Sequence, residues 1–116
     1  MFDFEKLDVY QRAKQLNKEV LKFLRDNKAI DSFLRDQLKR ASISVVLNIA
    51  EGSGKFSKAE KKHFYTIARG SVYECVSVFD ILFEEQLAPG DIRQNFYEQF
   101  EIISKMLLRL IQSQEI

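Results

Sequence analysis

Apolar residues recur every three or four positions through almost the whole chain, in four runs separated by short breaks. That period is the signature of one helix face, and no segment alternates with the period of a strand. The first run, from about Asp8 to Asp26, carries Val9, Tyr10, Ala13, Leu16, Val20, Phe23 and Leu24. Asp8 is its expected N-cap, with Gln11 at the capping-box position. The second, from about Ser32 to Glu51, starts after Asp31, whose carboxylate can accept from unpaired first-turn N–H groups. Gly52 is its expected stop, in the left-handed conformation that glycine tolerates. The third begins at Ser57-Lys-Ala-Glu60, an S-x-x-E capping box, and extends to about Gln86. The fourth follows Ala88-Pro89-Gly90, with Asp91 as cap, and runs over about 91–112.

Four amphipathic helices joined by short loops predict an all-α, antiparallel up-down-up-down four-helix bundle. The chain of 116 residues has the length of one domain, 1–116. With four glycines and one proline it lacks the turn residues of an all-β fold. Ten phenylalanines demand a substantial core. The loop at 52–56 sets the register of helices 2 and 3, placing Ala41 level with Ala68 and Arg40 with Arg69.

Helices 2 and 3 carry more apolar surface than one stripe. Beside the core-facing positions lie Val46 and Leu47 on helix 2, and Val72, Val76, Phe79 and Phe83 on helix 3. An isolated bundle would leave these in water, a larger patch than monomers usually show. They are the expected oligomer interface.

A lone Cys75 excludes an intramolecular disulfide. The acidic N-terminal segment lacks the charge pattern of a secretion signal, and no apolar run approaches a membrane span. A cytoplasmic location, without membrane contact, is the expectation. Net charge is +1, but it is unevenly spread. Residues 32–70 hold eight basic and three acidic side chains, whereas residues 71–116 hold three basic and eight acidic ones. Lys55, Lys58, Lys61, Lys62 and His63 crowd the start of helix 3, where cations oppose the helix dipole. Such a basic pole is either a solvated surface or a phosphate-contacting patch.

No catalytic set assembles from the sequence. Glu60-Lys-Lys-His63 fits the E-x-x-H of iron-binding bundles, but those use two such motifs and two further glutamates. The chain has one histidine. His63 and Cys75 are about 18 Å apart along one helix, too far for a dyad. Gly52-Ser-Gly-Lys-Phe lacks the spacing of a phosphate loop. The expectation is a protein that is not an enzyme, with no cofactor, no metal and no small-molecule substrate.

Leu38-Lys-Arg-Ala-Ser-Ile-Ser-Val-Val-Leu-Asn-Ile-Ala-Glu-Gly52, with Ile67-Ala-Arg-Gly-Ser-Val-Tyr-Glu74 and Leu7-Asp-Val-Tyr-Gln-Arg-Ala13, resembles the bacterial four helix bundle protein family. This is also called the 23S rRNA intervening-sequence protein, or S23, family. The resemblance covers most of the chain, with helix 4 alike only in general character. It implies a homo-oligomer. A related protein, the accessory variability protein of diversity-generating retroelements, forms a five-fold ring and works with a reverse transcriptase and nucleic acid. The resemblance therefore implies a pentamer and association with RNA, DNA or a nucleoprotein. That relative is strongly basic, whereas this chain is close to neutral. The polar motif residues Arg40, Asn48, Glu51, Arg69 and Glu74 are expected to fix helix register or subunit contacts through ion pairs, Glu74 serving the two arginines. The other reading makes them a binding or catalytic cluster. The leading expectation is a non-enzymatic, nucleic-acid-associated accessory factor whose basic pole touches RNA or DNA. The alternative is a protein-interaction scaffold without nucleic acid.

Overall fold

The computed structural model describes residues 1–115. Among them are four α-helices, one 3-10 turn and no strand. The turn spans Asp3–Lys6, and the helices are α1 (Asp8–Asp26), α2 (Ser32–Ser53), α3 (Lys58–Glu84) and α4 (Gly90–Ser113). The molecule measures 45 × 25 × 21 Å. α2 packs against both α1 and α3, and α3 against both α2 and α4, while α1 also touches α4. This all-α, bundle-like packing gives each helix two neighbours.

That arrangement corrects the expected oligomer interface. Val46, Val72 and Phe79 are buried inside the protomer. The second stripes of α2 and α3 face a second neighbouring helix, which periodicity alone cannot distinguish from a second subunit. Phe79 stacks on Phe96 at 4.4 Å between ring centroids, with Phe23 and Phe100 against them. These four rings, from three helices, fill the core near the α3–α4 connection. Only Leu47 and Phe83, at 57% and 44% exposure, remain open to solvent, with Val76 between the extremes.

The caps agree with the sequence at two helices and differ at two. Asp31 Oδ1 accepts from the Leu34 N–H at 2.9 Å, and Ser57 Oγ from the Glu60 N–H at 3.1 Å. The Ser57 hydroxyl donates to Glu60 Oε1 at 3.2 Å, so the glutamate meets the side chain and not the backbone of its cap. At α1 the cap is Leu7, because the preceding 3-10 turn delivers the chain there. Asp8 is already helical, and the Gln11 amide donates to the Glu5 carbonyl at 3.0 Å. At α4 the cap is Pro89, and Asp91 lies in the first turn.

The helix ends hold two further corrections. α2 runs straight through Gly52 to Ser53, and no glycine among the described residues has a positive φ. Gly52 serves packing: an ideal Cβ there would lie 2.8 Å from the ring of Tyr65 and 3.0 Å from Phe64 Cβ. The left-handed position belongs instead to Gln86, at φ 61° just past α3. Around it Leu87 N–H donates to the Leu82 carbonyl at 2.8 Å and Gln86 N–H to that of Phe83 at 3.0 Å. This is a Schellman motif built on a non-glycine residue.

The later end of α2 also shifts the register. Ser44 and Ser71 share a hydrogen bond of 2.8 Å, so Ala41 is not level with Ala68 nor Arg40 with Arg69.

Candidate functional site

Several residues of the family-like motifs of α2 and α3 lie at the outer surface of these two helices. The Ser44–Ser71 bond joins the helices there, and the Asn48 amide donates to the Ser44 carbonyl at 2.9 Å and its hydroxyl at 3.0 Å. Small side chains allow this close approach. Helical spacing sets Arg40, Ile43, Leu47 and Glu51 along one side of the seam, and Ile67, Gly70 and Glu74 along the other. Ile43, Leu47 and Ile67 are exposed, and nothing lies within 4 Å of an ideal Cβ on Gly70.

The expected ion-pair network does not form within the chain. Arg40, Glu51 and Glu74 are exposed, and none joins an ion pair among the described residues. Arg69 turns the other way: its Nε donates to the Ser104 carbonyl on α4 at 3.3 Å, and its guanidinium lies 5.1 Å from the centroid of the Tyr73 ring. The shifted register separates Arg40 from Arg69, so Glu74 has no pair of arginines to bridge.

The basic pole is partly consumed by the fold. Lys61 Nζ donates to the Ser53 carbonyl at 2.9 Å, satisfying the end of α2. Lys62 pairs with Glu115 at 3.1 Å. Lys55 lies over the Phe64 ring at 5.1 Å. Lys58 and His63 are exposed with no ion pair among the described residues, and Phe56 beside them is fully exposed.

His63 is at the surface while Cys75 is in the core, so the two do not meet. Burial pushes the Cys75 thiol up, and the neighbouring Glu74 charge adds to this. Such a thiol stays protonated, and only the thiolate is nucleophilic. Burial likewise raises the Tyr65 phenol. Among the described residues no three His, Cys, Asp or Glu side chains converge as a metal site, and no helix is long and apolar enough to cross a membrane.

Sequence reasoning missed a groove of about 450 Å3 between α3 and α4. Tyr73 and Tyr97 line it at 59% and 38% exposure. Arg93, also in the lining, lies 5.6 Å from the Tyr97 centroid and holds Asp80 through a 2.9 Å ion pair. No local signal marks residues so far apart in the chain; only the pairing of α3 with α4 unites them.

The family described as 23S rRNA-intervening sequence protein matches residues 5–109 of the chain. A crystal structure of a protein with unknown function from the S23 ribosomal protein family of Bacteroides thetaiotaomicron VPI-5482 is similar, with a TM-score of 0.82. The likeness covers 89% of this chain and 97% of that one at 19% sequence identity, which speaks for the fold alone. No curated protein sequence matches.

Proposed function

The chain belongs to the 23S rRNA-intervening sequence protein family, and on that premise we propose that it is a non-enzymatic, self-assembling accessory factor for nucleic acid. The observation that carries this reading is the outer surface of α2 and α3. Ile43, Leu47 and Ile67 are exposed around Gly70, and Arg40, Glu51 and Glu74 stand beside them without ion pairs among the described residues. A second copy would cover the apolar centre and supply the missing opposite charges. The proposed protomer is antiparallel, up-down-up-down. In support, as the position on α3 rises from Arg69 to Asp80, its partner on α4 falls from Ser104 to Arg93. The proposed assembly is a closed ring, five-fold by the family resemblance.

In such a ring the exposed Lys58 and His63, with Lys55 and Lys62 beside them, recur around one pole. Repetition turns a modest charge per subunit into a substantial field, and several weak phosphate contacts add. Binding is then sequence-independent and steeply salt-dependent. The proposed setting is the cytoplasm. A second reading, a protein-interaction scaffold without nucleic acid, is favoured by the engagement of Lys61 and Lys62 within the fold.

Light scattering and RNA retention at several salt concentrations test both parts. A particle well above 13.6 kDa is expected, with retention that fades as salt rises and is lost in Lys58→Glu/Lys62→Glu. A 13.6 kDa particle at micromolar concentration removes self-assembly. An absence of RNA or DNA retention even at low salt leaves the scaffold reading in place.

A further inference from the structure

We infer that the groove between α3 and α4 is a binding site for unpaired nucleobases, separate from the basic pole. The inference rests on the nucleic-acid reading above and gives it a substrate class, single strands. The volume of about 450 Å3 is in the range of small-ligand sites. Its lining combines apolar side chains, Val72, Val76 and Phe100, with two exposed tyrosines from different helices. Tyrosine rings offer a stacking face to any base.

Each tyrosine carries an arginine in the same chain. Arg69 lies over Tyr73 at 5.1 Å and Arg93 over Tyr97 at 5.6 Å. Each guanidinium has a second anchor, the Ser104 carbonyl for Arg69 and Asp80 for Arg93. The rings and cations are therefore held in place before a ligand arrives, which lowers the cost of binding. Arginine on an aromatic platform is the pairing used along single-strand tracks, where the base stacks and the cation meets the phosphate.

The groove is lined by two carboxylates and one arginine. Asp80 is neutralised by Arg93 at 2.9 Å, and Glu101 has Lys105 at 3.9 Å. Both remain acceptors for the exocyclic amino groups of bases. A basic peptide is the less favoured occupant, because the guanidiniums of Arg69 and Arg93 already hold the cation positions over the two rings. A double helix does not fit, since its bases are stacked within the duplex and cannot enter.

The chain has no tryptophan, so its intrinsic fluorescence comes from four tyrosines, two of them in the groove. Titration with twelve-nucleotide oligo-rU and oligo-rA, against a duplex of equal length, reads the site directly. Single strands should quench the tyrosine emission and the duplex should not. Tyr73→Ala and Tyr97→Ala should each weaken single-strand binding at least about fivefold, and Tyr97→Phe should retain it. Neither ring is buried in the core, so circular dichroism should report folded variants. Equal binding of duplex and single strand overturns the inference, as do alanine variants that bind like wild type. Quenching by an arginine-rich peptide with no response to oligonucleotide also overturns it. Lys58→Glu/Lys62→Glu separates the two readings. If that variant alone loses binding, the basic pole stands and the groove falls. If only the tyrosine variants lose it, the groove stands and the pole falls.

Discussion

The ring of Tyr65 occupies the space that a side chain on Gly52 would need: its Cε1 lies 2.8 Å from an ideal Cβ at that position. Tyr65 is buried, and Phe64 Cβ closes the other side at 3.0 Å, so the ring has little room to yield. Alanine is the better helix former by about 1 kcal/mol, but overpacking costs about 1–3 kcal/mol. Gly52→Ala should therefore lower stability in urea unfolding, by roughly 1–2 kcal/mol. A variant as stable as wild type would mean that α2 and α3 do not approach this closely at that end.

Gly70 gives the opposite expectation. An ideal Cβ there meets nothing within 4 Å. Gly70→Ala should stabilise the protomer by about 0.5–1 kcal/mol through helix propensity alone. If the outer face of α2 and α3 meets another copy, the same methyl group should weaken self-association by roughly tenfold in sedimentation experiments, within the usual range for overpacking. Unchanged association would place the subunit contact elsewhere.

The two glycines mark how far the sequence is legible. Apolar periodicity identified the four helices, and the Asp31 and Ser57 caps are made by the expected side chains. What failed was the assignment of Gly52 as a stop. A glycine that ends a helix and one that admits a neighbouring ring look the same in one dimension. That single choice moved the α2–α3 register, and with it the expected meeting of Arg40, Arg69 and Glu74. The second stripes of α2 and α3 failed for a related reason: Val46, Val72 and Phe79 are apolar because a second helix covers them. The motif surface itself was legible as a set of polar residues, but its openness was not. Tyr73 stood within a family-like motif, but nothing joined it to Tyr97, since their shared groove exists only once α3 and α4 are packed.

Arg35 was equally invisible in the sequence and is a clamp on the α1–α2 connection. Its Nη1 donates to the Leu24 carbonyl at 2.6 Å, and its Nη2 to Asn27 at 2.9 Å and Ile30 at 3.4 Å. The Leu24 and Asn27 carbonyls also accept from the Asn27 and Ile30 N–H groups at 3.3 Å each, so the guanidinium adds a second donor to them, and a cation at the end of α1 also suits the helix dipole. Arg35→Ala should cost about 2 kcal/mol, lowering Tm by roughly 8 °C for a domain of this size. Arg35→Lys should recover less than half, because one ammonium cannot reproduce the fork. A melting temperature unchanged in Arg35→Ala would show that the clamp contributes nothing.

Cys75 gives the protein an alkaline limit. Its ordinary thiol value is 9.0, and burial holds the folded form protonated well above that. Below pH 9 both folded and unfolded chains carry the proton, and the group contributes no slope. Above pH 9 the unfolded chain releases the proton while the folded chain keeps it, so the unfolded state binds fewer protons and stability falls as pH rises. The slope from this one group approaches about 1.4 kcal/mol per pH unit. Tyr65, raised from 10.0 by burial, adds a second loss at higher pH. Urea midpoints measured from pH 7 to 10.5 should be level at first and then decline. In Cys75→Ala the early part of that decline, between pH 9 and 10, should be shallower although the variant is less stable throughout. An identical alkaline profile in wild type and Cys75→Ala would show that the buried thiol does not set this limit.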